Sequence, residues 1–321
     1  MNYERLFVLV CISVFTLTGT VLSILLAWAY PWLQRMLAQQ PPRKRARIWM
    51  GLRVLPSSAS VIASGGFALA FARYEPRHTS EQIGFGLVLL AASAVLLLLG
   101  AAWRVGRAAW NTARCHQLVS QLGDRIQTPE FPVPTWRVPI DFPLAAVSGI
   151  LRPRLILSTR ILEECPPHEL ATVLRHEAAH ARHHDNLTRA CLLGCPDALG
   201  LFPASQKLVA EWHHAVEEAA DEEAAGSDSA ARLTLAAALV RVGRMSTGAR
   251  PSWIPALALY DGHTLESRVR RLLRSDSGQI PPRHGVVLRV AGALMIAAAL
   301  WVATGPRLLH GFMEWGVRNL P

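Results

Sequence analysis

The chain has 321 residues, of which 51% are hydrophobic and only 17% charged, and its mean hydropathy is positive, a composition that excludes an ordinary soluble enzyme of this length. A formal net charge of +10 invites a nucleic-acid reading, but no reading motif accompanies it. Most of the basic residues instead fall beside apolar spans, where they meet anionic lipid.

The first predicted element is an apolar span over residues 6–29, in a stretch without a charged residue from Leu6 to Gln34. It is long enough to cross a hydrocarbon core and too long for a cleaved signal peptide. A second span is predicted over 54–72, where Pro56, Ser57, Ser58, Ser60 and the pair Gly65-Gly66 favour close helix packing over lipid exposure. A third follows over 83–103 and a fourth over 286–304, with Arg289 near its start placed to snorkel. The loop after the first span holds Arg35, Arg43, Lys44, Arg45 and Arg47 without one acid, which marks it as cytoplasmic. Arg73 and Arg77 are balanced by Glu75 and Glu81 in the next loop, and Arg104, Arg107 and Arg114 again mark the inside. The expected layout is a multi-pass protein of the cell (inner) membrane, N-terminus outside. Residues 1–103 form three transmembrane helices, 104–283 a cytoplasmic domain, and 284–321 a fourth helix with a short outer tail.

Within the cytoplasmic part, Val138–Ile140 and Arg154–Leu157 read as short strands, and Pro167–His184 as a helix with proline in its first turn. That helix carries His176-Glu177-Ala178-Ala179-His180. At 3.6 residues per turn the two imidazoles stack on one face and can bind a single Zn2+ through nitrogen, with Glu177 beside them as general base. The blander reading makes both histidines surface groups on a basic helix, with Glu177 pairing Arg175 or Arg182. A catalytic zinc needs a third protein ligand. The Ala-rich stretch from Glu217 to Ala224 lacks Gly and Pro and suits a second helix, with Glu217 and Asp221 at i and i+4. There Glu217 is the candidate third ligand, and Asp221 the acceptor for the far nitrogen of a ligating histidine. The competing account is an acidic solvated face. His213, one turn before Glu217, rivals it as a ligand. His183 and His184 read as extending the first helix beyond the metal. Cys191 and Cys195, in an apolar stretch broken by Gly194 and Pro196, read as buried thiols. Five cysteines without framework spacing fit a reducing compartment and need no disulfide.

His176-Glu177-Ala178-Ala179-His180 followed by Asp185, then Glu217 with Asp221, gives H-E-x-x-H-x-x-x-x-D and E-x-x-x-D. Together with Ser148–Leu157, Leu201-Phe202-Pro203 and Leu265–Leu272, this pattern resembles the BlaR/MecR-type membrane metallopeptidases, peptidase family M56. The resemblance implies a mainly α membrane protein of about four spans, with an α+β gluzincin-type zinc peptidase domain inserted between spans three and four. It implies Asp185 as a further residue supporting the metal ligands, and a cleft beside the strand at Leu155-Ile156-Leu157 to which a peptide adds as another strand. The partners implied are the lipid bilayer and a protein or peptide substrate, such as a cytoplasmic repressor, with no nucleic acid. Only residues 305–321 follow the fourth span, so the penicillin-binding sensor domain of antirepressor members is not expected.

The expected reaction is peptide hydrolysis in signal transduction, with His213, Tyr260 and His263 as candidate donors to the oxyanion. One alternative is an HtpX-like quality-control peptidase, which shares both motifs. Against it, Leu192–Phe202 is too short and interrupted for the pair of spans that group places there. Another is a non-proteolytic receptor or scaffold that uses zinc structurally.

Overall fold

The computed structural model describes residues 3–74, 84–128, 131–226, 228–246 and 262–274. The expected fourth span and Tyr260 lie outside these. Three long helices come first: α1 (Tyr3–Leu37), α2 (Pro42–Tyr74) and α3 (Phe85–Leu122), each long and apolar enough to cross a membrane. All three overrun the predicted spans. The basic stretch read as a loop forms the first turns of α2, because Pro42 is preorganised for a helix start and the Arg and Lys residues after it are good helix formers. α3 continues past Trp103 until Gly123, where a Cβ would lie 2.5 Å from the Arg137 carbonyl. The predicted boundary at 103/104 therefore runs through an unbroken helix.

Polar groups inside the bundle are satisfied locally or across helices. Ser13 and Thr16 of α1 donate to the Leu87 and Leu90 carbonyls of α3 at 3.3 and 3.1 Å, and Ser64 of α2 donates to the Cys11 carbonyl at 2.8 Å. α1 and α2 pack tightly at Gly19, where a Cβ would meet Ser60 Oγ at 2.8 Å. Gly65 and Gly66, expected to serve such packing, face open space.

Four strands follow: β1 (Asp124–Ile126), β2 (Thr135–Val138), β3 (Ala145–Ser148) and β4 (Arg154–Ser158), in the order β1-β2-β4-β3. The β2–β4 pair is parallel and the other two antiparallel. β2 ends at Val138 rather than running to Ile140, since Pro139 has no N–H for the ladder. β3 escapes sequence detection because alanine has little strand preference. The turn after it requires Gly149, at φ 109°, where a Cβ would sit 2.6 Å from the Arg152 carbonyl. Leu155 and Leu157 point to one face of the sheet, against α4 (Thr159–Glu164), α5 (Pro167–Arg182) and α8 (Ser229–Met245). Ile156 points to the other, against Cys115 and Val119 of α3. The continuation of a candidate span thus serves as one layer of the peptidase core.

α6 (Asp185–Leu193), a 3₁₀ turn (Ala198–Leu201), α7 (Pro203–Ala225) and α9 (Gly262–Leu273) complete the described residues. A second apolar cluster joins Leu33 and Leu37 of α1 and Trp49 of α2 to Leu192 of α6 and to Leu208, Trp212 and Val216 of α7. It is pinned by Arg53, whose Nη1 donates to both oxygens of Asp197 at 3.1 and 2.9 Å, while Ser57 donates to the same carboxylate. The two ionic side chains are only 3% and 0% exposed. Removing one partner strands a buried charge, so Asp197→Ala should destabilise by about 3–5 kcal/mol, whereas a paired Arg53→Met/Asp197→Leu replacement should recover most of that loss. Thermal unfolding in detergent measures both.

Candidate active site

α5 begins with Pro167 at its first position and buries the face that carries His176 and Glu177. The helical period does what the spacing predicts. His176 and His180 stack one turn apart with Nε2 atoms 3.1 Å from each other, and Glu217 of α7 brings Oε2 to 3.5 Å from the first and Oε1 to 3.6 Å from the second. These three residues could hold one metal ion.

The orientation of both rings is set from behind. His176 Nδ1 lies 3.0 Å from Asp221 Oδ1, one turn beyond Glu217 on α7, and His180 Nδ1 lies 2.9 Å from Asp185 Oδ2. A proton on each Nδ1 leaves the two Nε2 lone pairs facing each other across 3.1 Å, an arrangement that repels unless a cation sits between them. Two imidazoles and a carboxylate are also a donor set that zinc favours. The site therefore fits the metal expected from the sequence.

Asp185 reaches His180 because α5 does not continue as expected. His184 adopts a left-handed conformation (φ 52°), and the chain turns sharply into α6. His183 and His184 thus leave the line of the helix; as expected neither joins the metal-binding cluster, and His183 Nε2 pairs with Glu223 at 2.8 Å. His213 lines the cleft beside Glu217 but is not among the three convergent ligands. The side chain of His263 is outside the described residues.

One participant was invisible to spacing arguments. Arg268 of α9 is almost fully buried and donates to both Asp221 oxygens at 2.8 and 2.7 Å, with Nη1 2.9 Å from Glu217 Oε2. It lies 47 residues beyond Asp221 in sequence; only the family-like stretch Leu265–Leu272 drew attention to its helix. A second missed group is Asn186, which donates to the Val147 and Gly149 carbonyls at 2.9 and 3.2 Å. The Val147 N–H itself donates to Glu177 at 3.0 Å. The strand beside the cleft is therefore β3, at the sheet edge, and not β4, which is paired on both sides.

Burial pushes the Glu177 carboxyl up from its ordinary value, which brings it closer to the neutral range suited to a general base. Burial opposes ionisation of Glu217 and Asp221 too, but the Arg268 charge overrides it. Glu217 is held well below the usual carboxylate range, and Asp221 falls to about 2. For His176 burial acts downward, yet the adjacent carboxylates of Asp221 and Glu217 outweigh it and push the imidazole up to about 9. His180 is raised as well, by the charge of Glu217 and the bond to Asp185 against its burial. The cleft bounded by Val147, Glu177, His180, Asn186, Trp212 and Glu217 encloses about 20 Å³ of free space, enough for one water.

Two outcomes follow from this charge arrangement. With the metal-free His176 protonated below about pH 9, zinc uptake at pH 7 displaces its proton. Affinity should therefore fall as pH falls, and the proton release, read by calorimetry in buffers of different ionisation enthalpy, should vanish above about pH 9. Arg268→Lys keeps the charge but loses the forked contact with Asp221, and should weaken zinc binding about 10–100-fold in a chelator competition.

Residues 109–249 match the model of peptidase family M48, a zinc metallopeptidase family. No curated protein and no solved structure matches the chain. The matched stretch runs from α3 to the end of α8 and includes His176, Glu177, His180, Glu217 and Asp221, but not Arg268. The match is to M48 and not to the M56 group that the motifs resemble. On this match, and with three helices long enough to cross a bilayer, the chain is a membrane-associated zinc metallopeptidase.

Proposed function

We propose that the protein is a membrane-integral zinc endopeptidase whose site faces the cytoplasm and which cleaves regulatory proteins in signal transduction. The observation that carries the chemistry is the convergence of His176 Nε2, His180 Nε2 and Glu217 on one point beside Glu177. The side of the membrane is argued from charge. The basic first turns of α2, whose excess of Arg and Lys favours the cytoplasm, touch the site's own helices. Arg45 pairs with Glu218 of α7 at 2.5 Å, and Arg43 lies 3.9 Å from Asp185. In this reading residues 104–283 form the peptidase domain between spans three and four.

His176, His180 and Glu217 would hold the zinc, with Asp221 and Asp185 fixing the ring tautomers. A zinc ion there supplies Lewis acidity, polarising the scissile carbonyl and acidifying water. Glu177 accepts the proton of the attacking water and delivers it to the leaving amine. Its Oε2 accepts the Val147 N–H at 3.0 Å, which holds the carboxylate beside β3, the edge to which a peptide backbone would add.

A BlaR/MecR-type layout is supported by the stretch between His180 and α7, which holds no pair of spanning helices. Only α6 and the 3₁₀ turn lie there, nine and four residues long. That length weighs against the HtpX-like layout. Glu177→Gln should retain zinc, measured by mass spectrometry of the purified protein, while cleavage of itself or of co-expressed cytoplasmic regulators falls about 10²–10⁴-fold. Equal zinc with no cleavage by either protein would instead support a scaffold.

A further inference from the structure

The cleft is walled on one side by the membrane helices' own packing. Trp212 and Val216, which line it, belong to the apolar cluster that contains Leu33 and Leu37 of α1 and Trp49 of α2. The opposite end of α6 is fixed at the level where the apolar part of α3 stops. Arg104, the first charge after that stretch, donates from Nε to the Leu193 carbonyl and from Nη2 to the Cys195 carbonyl, both at 3.0 Å. Asp197, two residues further on, takes Arg53 and Ser57 at the start of the apolar part of α2. The 3₁₀ turn that follows packs on α1 and leaves Leu201 77% exposed. Three independent contacts therefore hold the segment from Leu193 to Leu201 at the membrane boundary.

α6 begins at Asp185, in contact with His180, and its nine residues cover about 14 Å. The metal-binding residues thus sit within one short helix of the bilayer surface. An extended peptide covers that distance in about four residues.

Resting on the peptidase reading above, we infer that the site cuts next to the bilayer: its substrate is a membrane-anchored protein whose scissile bond lies about four to ten residues from the cytoplasmic end of its own transmembrane helix. The first turn of α6 (Asp185, Asn186) and α7 (Trp212, Val216, Glu217) both line the cleft, so a segment emerging from the bilayer beside α6 reaches it without leaving the interface. Leu187 and Cys191, exposed one turn apart on α6, add an apolar flank that suits a chain leaving hydrocarbon.

The test uses the full-length protein in phosphatidylethanolamine/phosphatidylglycerol vesicles. The probe is a single-span reporter carrying a disordered segment of about forty residues of mixed composition, with cut positions mapped by mass spectrometry. Cuts should cluster within the first ten residues after the helix, at least 10-fold over distal positions. A rigid helical spacer of about 30 Å between helix and segment should remove the clustering. Because tethering alone raises local concentration, position and not rate is the deciding readout. Cuts spread evenly along the segment, or equal cleavage of the same segment without its helix, would overturn the inference and leave the peptidase reading intact. Absence of cuts in every format, with wild type and Glu177→Gln alike, would remove the peptidase reading and this inference together.

Discussion

The arrangement on which the site depends is a repulsion. Asp221 and Asp185 each engage an Nδ1, so the remaining nitrogens of His176 and His180 face one another at 3.1 Å with their lone pairs inward. A proton or a metal ion relieves this, and the raised imidazole values of the metal-free site are the proton's answer. The same two carboxylates that make the site basic suit it to a metal, since a more basic imidazole is a better ligand and a fixed ring has less freedom to lose. Every other element can be understood by how it keeps that pair in place.

Charge balance explains why α9 is needed. Glu177, Glu217, Asp221 and Asp185 crowd around two histidines in a buried region, and uncompensated carboxylates there are costly. Arg268 places one permanent positive charge between Glu217 and Asp221, with a planar fork that matches the Asp221 carboxylate. Around it lies a more exposed network in which Arg45 and Arg271 both reach Glu218, while Arg271 also reaches Glu222. α7 is thereby clamped from two directions: by the first turns of α2 and by α9. Its candidate metal ligand Glu217 has little room to drift away from α5.

The parts legible in sequence are those that helical period controls. His176 with His180, and Glu217 with Asp221, are each four residues apart, and four residues return a helix to the same face, so the geometry followed once the helices were recognised. The membrane helices were legible because apolar length is a direct physical requirement. Their ends were not, since polar residues do not stop a helix whose extra turns pack against a soluble domain, as α3 does on Ile156. The left-handed His184 breaks α5 without a glycine or proline to announce it, so the helix ends at Arg182 and not at the expected His184. Arg268, Asn186 and the Val147 N–H act through contacts 30 to 92 residues apart, a separation at which spacing carries no information.

The membrane helices and the metal-binding residues share side chains instead of being joined by a linker. Trp212 and Val216 of α7 pack on α1 and α2, and Val216 adjoins Glu217; on the sheet's far face, Cys115 and Val119 of α3 support Ile156, which pairs with Ala146 of the cleft strand. Close-packed interiors deform in discrete steps. A shift of α2 or α3 along the membrane normal therefore cannot be absorbed by flexible chain, because Arg53 is tied to Asp197 and Arg104 to the end of α6. It must either be resisted or be passed to the two elements, α7 and β3, that carry the candidate third ligand and the exposed sheet edge. The apolar helices and the candidate site are in this architecture one packed unit, and the stiffness that positions Glu217 couples it to the packing of α1 and α2.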